Sequence, residues 1–179
     1  WDRVQKMLSD NAATQRSGSN AKEPSLLAGL VFDERGNHLS PAHTVKSGRR
    51  YRYYVSQAVL QYRHGEAGSV TRIPAHDLEA AVSDRLHAFL KAPSALMDCV
   101  CQTDDNAPTH QALLDAARER AEAWPELQPS EKRAFVRAVM VRATVEQETI
   151  VLTLSRQGLR GALLEAATSD RPEARRRKN

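Results

Sequence analysis

Two spacings of apolar residues alternate along this chain, and they divide it into parts. Residues 26–56 read LLAGLVFDERGNHLSPAHTVKSGRRYRYYVS, cut into three runs by two turn signals, Arg35-Gly36-Asn37 and Lys46-Ser47-Gly48. Gly and Asn tolerate the positive φ of a tight reversal. The last run, Arg50 to Val55, has period two: Tyr51, Tyr53 and Val55 fall on one face, Arg50, Arg52 and Tyr54 on the other. The pattern predicts a three-stranded antiparallel ribbon with a basic, aromatic strand. The spacing then lengthens to that of a helix. Leu78, Ala81, Val82, Leu86, Phe89 and Leu90 make one stripe, opened by Pro74 and closed by Pro93. A second helix is expected from a Thr109 cap, with Leu113, Leu114, Ala117, Ala121 and Trp124 inward and Pro125 at its end. A third is capped by Ser130 and carries Phe135, Val136, Val139 and Met140. Period two returns at Val141, Ala143 and Val145 and again at Ile150, Leu152 and Leu154, which predicts a β-hairpin turning at residues 146–149. Leu159, Leu163 and Leu164 suit a last helix over 155–167. At the other end, Trp1, Val4, Met7 and Leu8 share a helical face.

Between these elements the chain is polar. Residues 12–25 read as a linker, 57–72 as a loop and 93–108 as a connector, and the end from Ser169 is a basic tail. The fold class expected is α+β: a small antiparallel β-ribbon sheet, an amphipathic helical arm (helix hairpin or short coiled coil) and a returning β-hairpin. The corresponding divisions are 1–25 for the end of a preceding domain and its linker, 26–73 for the ribbon, 74–140 for the arm, 141–155 for the hairpin and 156–179 for the final helix and tail.

The stretch LLAGLVFDERGNHL followed by SGRRYRYYVS resembles the zinc-ribbon domain of the large serine recombinases, enzymes of site-specific DNA recombination. That family reads roughly LLxGLxxCxxCGxxM, then a basic run ending YYxC. In this chain Asp33 stands at the first cysteine position, Arg35 or its neighbour at the second and Ser56 at the third, with no fourth. The resemblance is therefore to a ribbon without its metal. The opening WDRVQKML is similar to the W-x-x-V-Q-x-x-L helix that closes the family's middle domain, and the order of elements matches over roughly 1–155. A first residue of Trp1 fits a piece of something longer. The resemblance implies a parent that breaks and rejoins DNA through a 5′-phosphoserine link formed by a separate catalytic domain, in integration, excision or inversion. It also implies helical-arm contacts between protomers and a cytoplasmic, nucleoid-associated setting; with the cysteine positions substituted, no cofactor is expected.

Charge bears on the choice of partner. The whole chain carries +4, but residues 1–75 hold 11 Lys/Arg against 6 Asp/Glu, while residues 76–149 hold 8 against 13. A basic ribbon beside an acidic helical part favours a polyanion for the first and another role for the second. The candidate DNA-binding residues are Arg35, Lys46, Arg49, Arg50 and Arg52, with His38 and His43. Those arginines can equally be a solvated surface, and the two histidines can serve as phosphate or base contacts, as metal ligands or as plain surface.

No apolar run approaches the roughly 18 residues of a membrane span. Cys99 and Cys101, the only cysteines, form a C-x-C pair that cannot complete a tetrahedral zinc site. No H-E-x-x-H pair, G-x-S-x-G elbow or phosphate-binding Gly-rich loop is present, so no catalytic residue is assigned. Two further readings stand beside duplex binding. One is a self-association module with no DNA contact. The other is a single-strand or RNA binder that stacks bases on its tyrosines.

Overall fold

The computed structural model describes residues 25–100 and 107–169, with α and β elements together as the sequence predicts. The predicted helix at Trp1, residues 12–24 of the linker, Cys101 and the basic tail beyond Ser169 lie outside the described residues. The chain divides into two units: residues up to Glu79 with Arg142–Val151, and Ala80–Val141 with residues from Leu152 onward.

In the first unit the longest element is a hairpin. Strand β2 (Leu39–Lys46) pairs antiparallel with β3 (Arg49–Ser56), from Leu39 opposite Ser56 to Lys46 opposite Arg49. Its turn is Ser47-Gly48, with φ of 50° and 74°. Positive φ at both central residues is what a two-residue turn needs to match the strand twist, and Gly48 takes it without a Cβ penalty. The third strand of this sheet is β4 (Arg72–Pro74), with Tyr53 opposite Pro74 and Val55 opposite Arg72.

The first run of the predicted ribbon goes elsewhere. Strand β1 (Val31–Asp33) meets the hairpin at one bridge, Phe32 with His38, and pairs in parallel with β5 (Met140–Val145), Val31 opposite Ala143. A second sheet results, ordered β1, β5 and β6 (Ile150–Leu154). The returning hairpin thus rejoins the chain at β1, whose edge it occupies, and the antiparallel three-strand arrangement over 26–56 is corrected to two strands. The expected loop over 57–72 is also corrected. It opens with the short helix α1 (Gln57–Leu60), passes a 3₁₀ turn at His64–Glu66 and ends in β4. Leu27, Val31, Leu39, Tyr54, Ala58 and Leu78 are among the buried residues of this unit.

Helix α2 (Ala75–Leu90) follows β4 directly, and within the second unit it buries Val82, Leu86 and Leu90 at a spacing of four. Pro93 closes α2 and also opens α3 (Pro93–Val100), as a proline at a first helical position can. The predicted connector is therefore partly helix, with Leu96 and Val100 buried and Cys99 half-buried. Helix α4 (Ala107–Ala123) begins before Thr109, so Thr109 lies inside the first turn and is not its cap. Helix α5 (Pro129–Val139) is capped from Gln128, whose backbone N–H donates to Glu131 at 2.8 Å, and not from Ser130. Trp124 joins these helices: its indole N–H donates to Ser83 at 3.0 Å and its ring meets Phe135 edge-on at 5.6 Å. Helix α6 (Arg156–Ser169) packs against α3, α4 and α5 through Leu159 and Leu163. No described helix is long and apolar enough to cross a membrane.

Candidate nucleic-acid interface

The hairpin has a base and a tip, and β4 marks the boundary by pairing with residues 53–55 of β3 alone. At the base, Tyr54 is fully buried. Its hydroxyl donates to Glu79 at 2.7 Å and accepts from the Leu27 backbone at 3.0 Å. Glu79 also accepts from the Leu26 backbone at 2.9 Å. Burial, reinforced by the neighbouring Glu79 carboxylate, pushes the Tyr54 hydroxyl far above the ordinary tyrosine range. One phenol and one carboxylate thereby fasten the ribbon to the segment before β1 and to the start of α2.

Beyond the base, every residue from His43 to Arg52 is exposed. This tip reads HTVKSGRRYR, with four Lys/Arg and no Asp/Glu. Residues opposite each other share a face, so Val45 with Arg50 and His43 with Arg52 lie on one face, which continues into Tyr54. Lys46 with Arg49 and Thr44 with Tyr51 lie on the other. The predicted cations are thus brought together at one tip but on two faces. Among the described residues, Lys46, Arg49 and Arg50 have no carboxylate partner. Arg52 does: its guanidinium lies 3.3 Å from Glu79, tying it to the base.

The other predicted contacts sit apart from the tip. Arg35 donates to the Gly65 carbonyl at 2.6 Å. The exposed His38 ring lies 4.0 Å from the Phe32 ring, over which the Arg142 guanidinium also sits at 4.4 Å. A cation the sequence reading missed is Arg72, exposed on β4 with its guanidinium 3.6 Å over the Tyr53 ring. Three residues of strand ending in proline gave no period to read. The acidic side of the unit is a depression lined by Glu34, Ser69, Glu146, Gln147, Glu148 and Thr149, which repels phosphate.

The family's cysteine positions fall at residue 33, at residue 35 or its neighbour and at residue 56, and the side chains present there do not fit a metal. Among the described residues no group of three His, Cys, Asp or Glu is placed to hold a metal. Asp33 is buried, and its oxygens already accept from Asn37 Nδ2 at 2.9 Å, from the Asn37 backbone at 2.7 Å and from the Gly68 backbone at 2.9 Å. Burial works to raise its pKa, but these hydrogen bonds outweigh it and hold the carboxyl below its usual range.

No protein-family model and no curated protein matches this chain. Solved structures do. One described as "Crystal Structure of a LSR-DNA Complex", LSR standing for large serine recombinase, aligns with a TM-score of 0.50 at 16% identity over 86% of this chain and 62% of the other. Another, from work on the sequence requirements of the Listeria innocua prophage attP site, aligns with a TM-score of 0.47 at 18% identity over 86% and 52%. The chain therefore spans less than two thirds of the first of these. The likeness is one of fold.

Proposed function

We propose that this region holds double-stranded DNA with the tip of the β2–β3 hairpin, as the DNA-binding part of a site-specific serine recombinase. The observation that carries the reading is the tip itself: exposed from His43 to Arg52, with Lys46, Arg49 and Arg50 unneutralised by any carboxylate of the described residues. A two-stranded ribbon is of a width that the major groove admits. Cations on both faces suit entry by the tip, with Lys46 and Arg49 toward one phosphate wall and Arg50 toward the other. Phosphate contacts fix the register, and base-edge contacts give any sequence preference. A fold shared with a protein crystallised as an LSR–DNA complex supports the same reading. Arg52 and His43 extend the contact along one face, while Arg35 and His38 serve the turn first and DNA second.

No serine of this chain is proposed as a nucleophile; integration, excision or inversion belongs to the parent recombinase. Duplex binding measured by fluorescence anisotropy across a salt series tests the reading. The logarithm of affinity should fall linearly with the logarithm of salt. Arg49→Ala with Arg50→Ala should reduce that slope by about 2, roughly 1 for each phosphate that is no longer neutralised. Absence of duplex binding at low salt refutes it, and a preference for single strands favours base stacking on the exposed Tyr51.

Self-association through the helical arm is the second reading. Of the apolar stripe positions on the helical arm, Leu86 is buried within its own unit and Leu114 is half-buried there. Protomer contacts would therefore use other surfaces, and sedimentation at high salt measures them directly.

A further inference from the structure

We propose that the Asp33 carboxylate takes the place of a metal ion in this ribbon, an anion gathering N–H groups where a cation would gather thiolates. The task at this point of the fold is to join the turn at residues 33–37 to the distant loop at 65–69. Asp33 Oδ1 accepts from the Arg35 backbone at 3.1 Å and the Asn37 backbone at 2.7 Å. Asp33 Oδ2 accepts from Asn37 Nδ2 at 2.9 Å and from the Gly68 backbone, across the junction, at 2.9 Å. A carboxylate offers about four lone-pair positions, so this one is fully used by N–H donors. Those donors point the positive ends of their dipoles at the centre, which opposes a cation there.

The surrounding contacts serve the same join. Glu34 accepts from the Ser69 backbone, Asn37 Nδ2 donates to the Glu66 carbonyl at 2.8 Å, and Arg35 donates to the Gly65 carbonyl at 2.6 Å. Gly68 is the residue this arrangement demands. A Cβ there would come within 2.5 Å of Glu34 Oε2 and 2.7 Å of Asp33 Cβ, so only glycine lets the backbone reach the carboxylate. Ser56, at the third cysteine position of the resemblance, is fully buried, and its hydroxyl finds no hydrogen-bond partner among the described residues.

The inference does not rest on DNA binding, and its test needs only the full chain. Protein purified without chelators is analysed for metal by plasma mass spectrometry and melted with and without EDTA or added zinc. The expected result is no stoichiometric metal and an unchanged Tm. Asp33→Asn, the same shape without the charge, should lower Tm by roughly 4–10 °C. It should also accelerate amide hydrogen exchange at Asn37 and Gly68, and zinc should not rescue Asp33→Cys. One equivalent of bound zinc, a Tm lowered by EDTA, or Asp33→Asn melting and exchanging like the parent protein would each overturn the proposal. Should the variants fail to fold, the metal and EDTA measurements on the unaltered chain still decide it.

Discussion

Residues 49–52 and residues 53–56 of strand β3 share one backbone, one partner strand and one alternation of side chains, yet they differ in nearly everything else. The first four are exposed, and three of them are cations. Within the second four, Tyr54 and Ser56 are completely buried and Tyr53 lies under an arginine. The cause is what lies alongside. Strand β4 pairs with residues 53–55 only, and Glu79 reaches Tyr54 from the start of α2. On the proposed function, stability and DNA affinity are held in different halves of one strand. Changes in the base should alter folding, and changes in the tip should alter binding.

Truncation at the base should have the largest effect. Tyr54→Ala removes a buried aromatic ring and should cost about 3–5 kcal/mol in a denaturant titration, by the measure of other aromatic-to-alanine core changes. Tyr54→Phe keeps the ring but leaves the Leu27 N–H without its acceptor and takes one donor from Glu79, so about 1–3 kcal/mol is expected. In both, the duplex affinity of the folded fraction should be unchanged. A Tyr54→Phe protein that is stable but binds DNA poorly would break the division between base and tip.

Extremes of pH act on the base from both sides. Asp33 has a folded pKa below its ordinary 3.8, so its contribution is complete above that pH and is lost as pH falls through the lower folded value. Tyr54 is shifted upward, so its contribution is complete below its ordinary value of 10.0 and declines as pH rises beyond it. Circular dichroism followed across pH should show stability decline in acid below about 3.8 and in alkali above about 10. Asp33→Asn should diminish the first decline, and Tyr54→Phe the second.

Arg52 links the two halves and should show a small effect on each. Its pair with Glu79 is partly exposed, with the Arg52 side chain 39% accessible, so Arg52→Ala should cost at most about 1 kcal/mol of stability. Smallest of all is the stability change from Arg50→Ala, expected within about 0.5 kcal/mol of zero because the side chain is exposed at the tip.

The tip was legible in the sequence because its signals are local. Period-two alternation from Arg50 to Val55, followed back to Ser47-Gly48, gives the hairpin and the shared face of Arg50, Arg52 and Tyr54. What alternation cannot say is that this face turns inward at Tyr54, because the deciding residue, Glu79, is 25 positions away on a helix. The partner of β1 was hidden for the same reason: Val31 pairs in parallel with Ala143, and nothing near either residue records it. The helical stripes were visible, but α3 was not, since Pro93 reads as a stop and is also a start. Asp33 was noticed as a missing cysteine. That it gathers N–H groups from two segments follows only from where Gly68 lies.

The salt dependence of duplex binding tests the central claim most directly. A steep loss of affinity with rising salt is predicted, with a slope shallower by about 2 for Arg49→Ala with Arg50→Ala and no change in the melting temperature of that variant. A slope the same as that of the unaltered protein, with affinity retained, would contradict the claim and place the DNA-binding surface elsewhere on the chain.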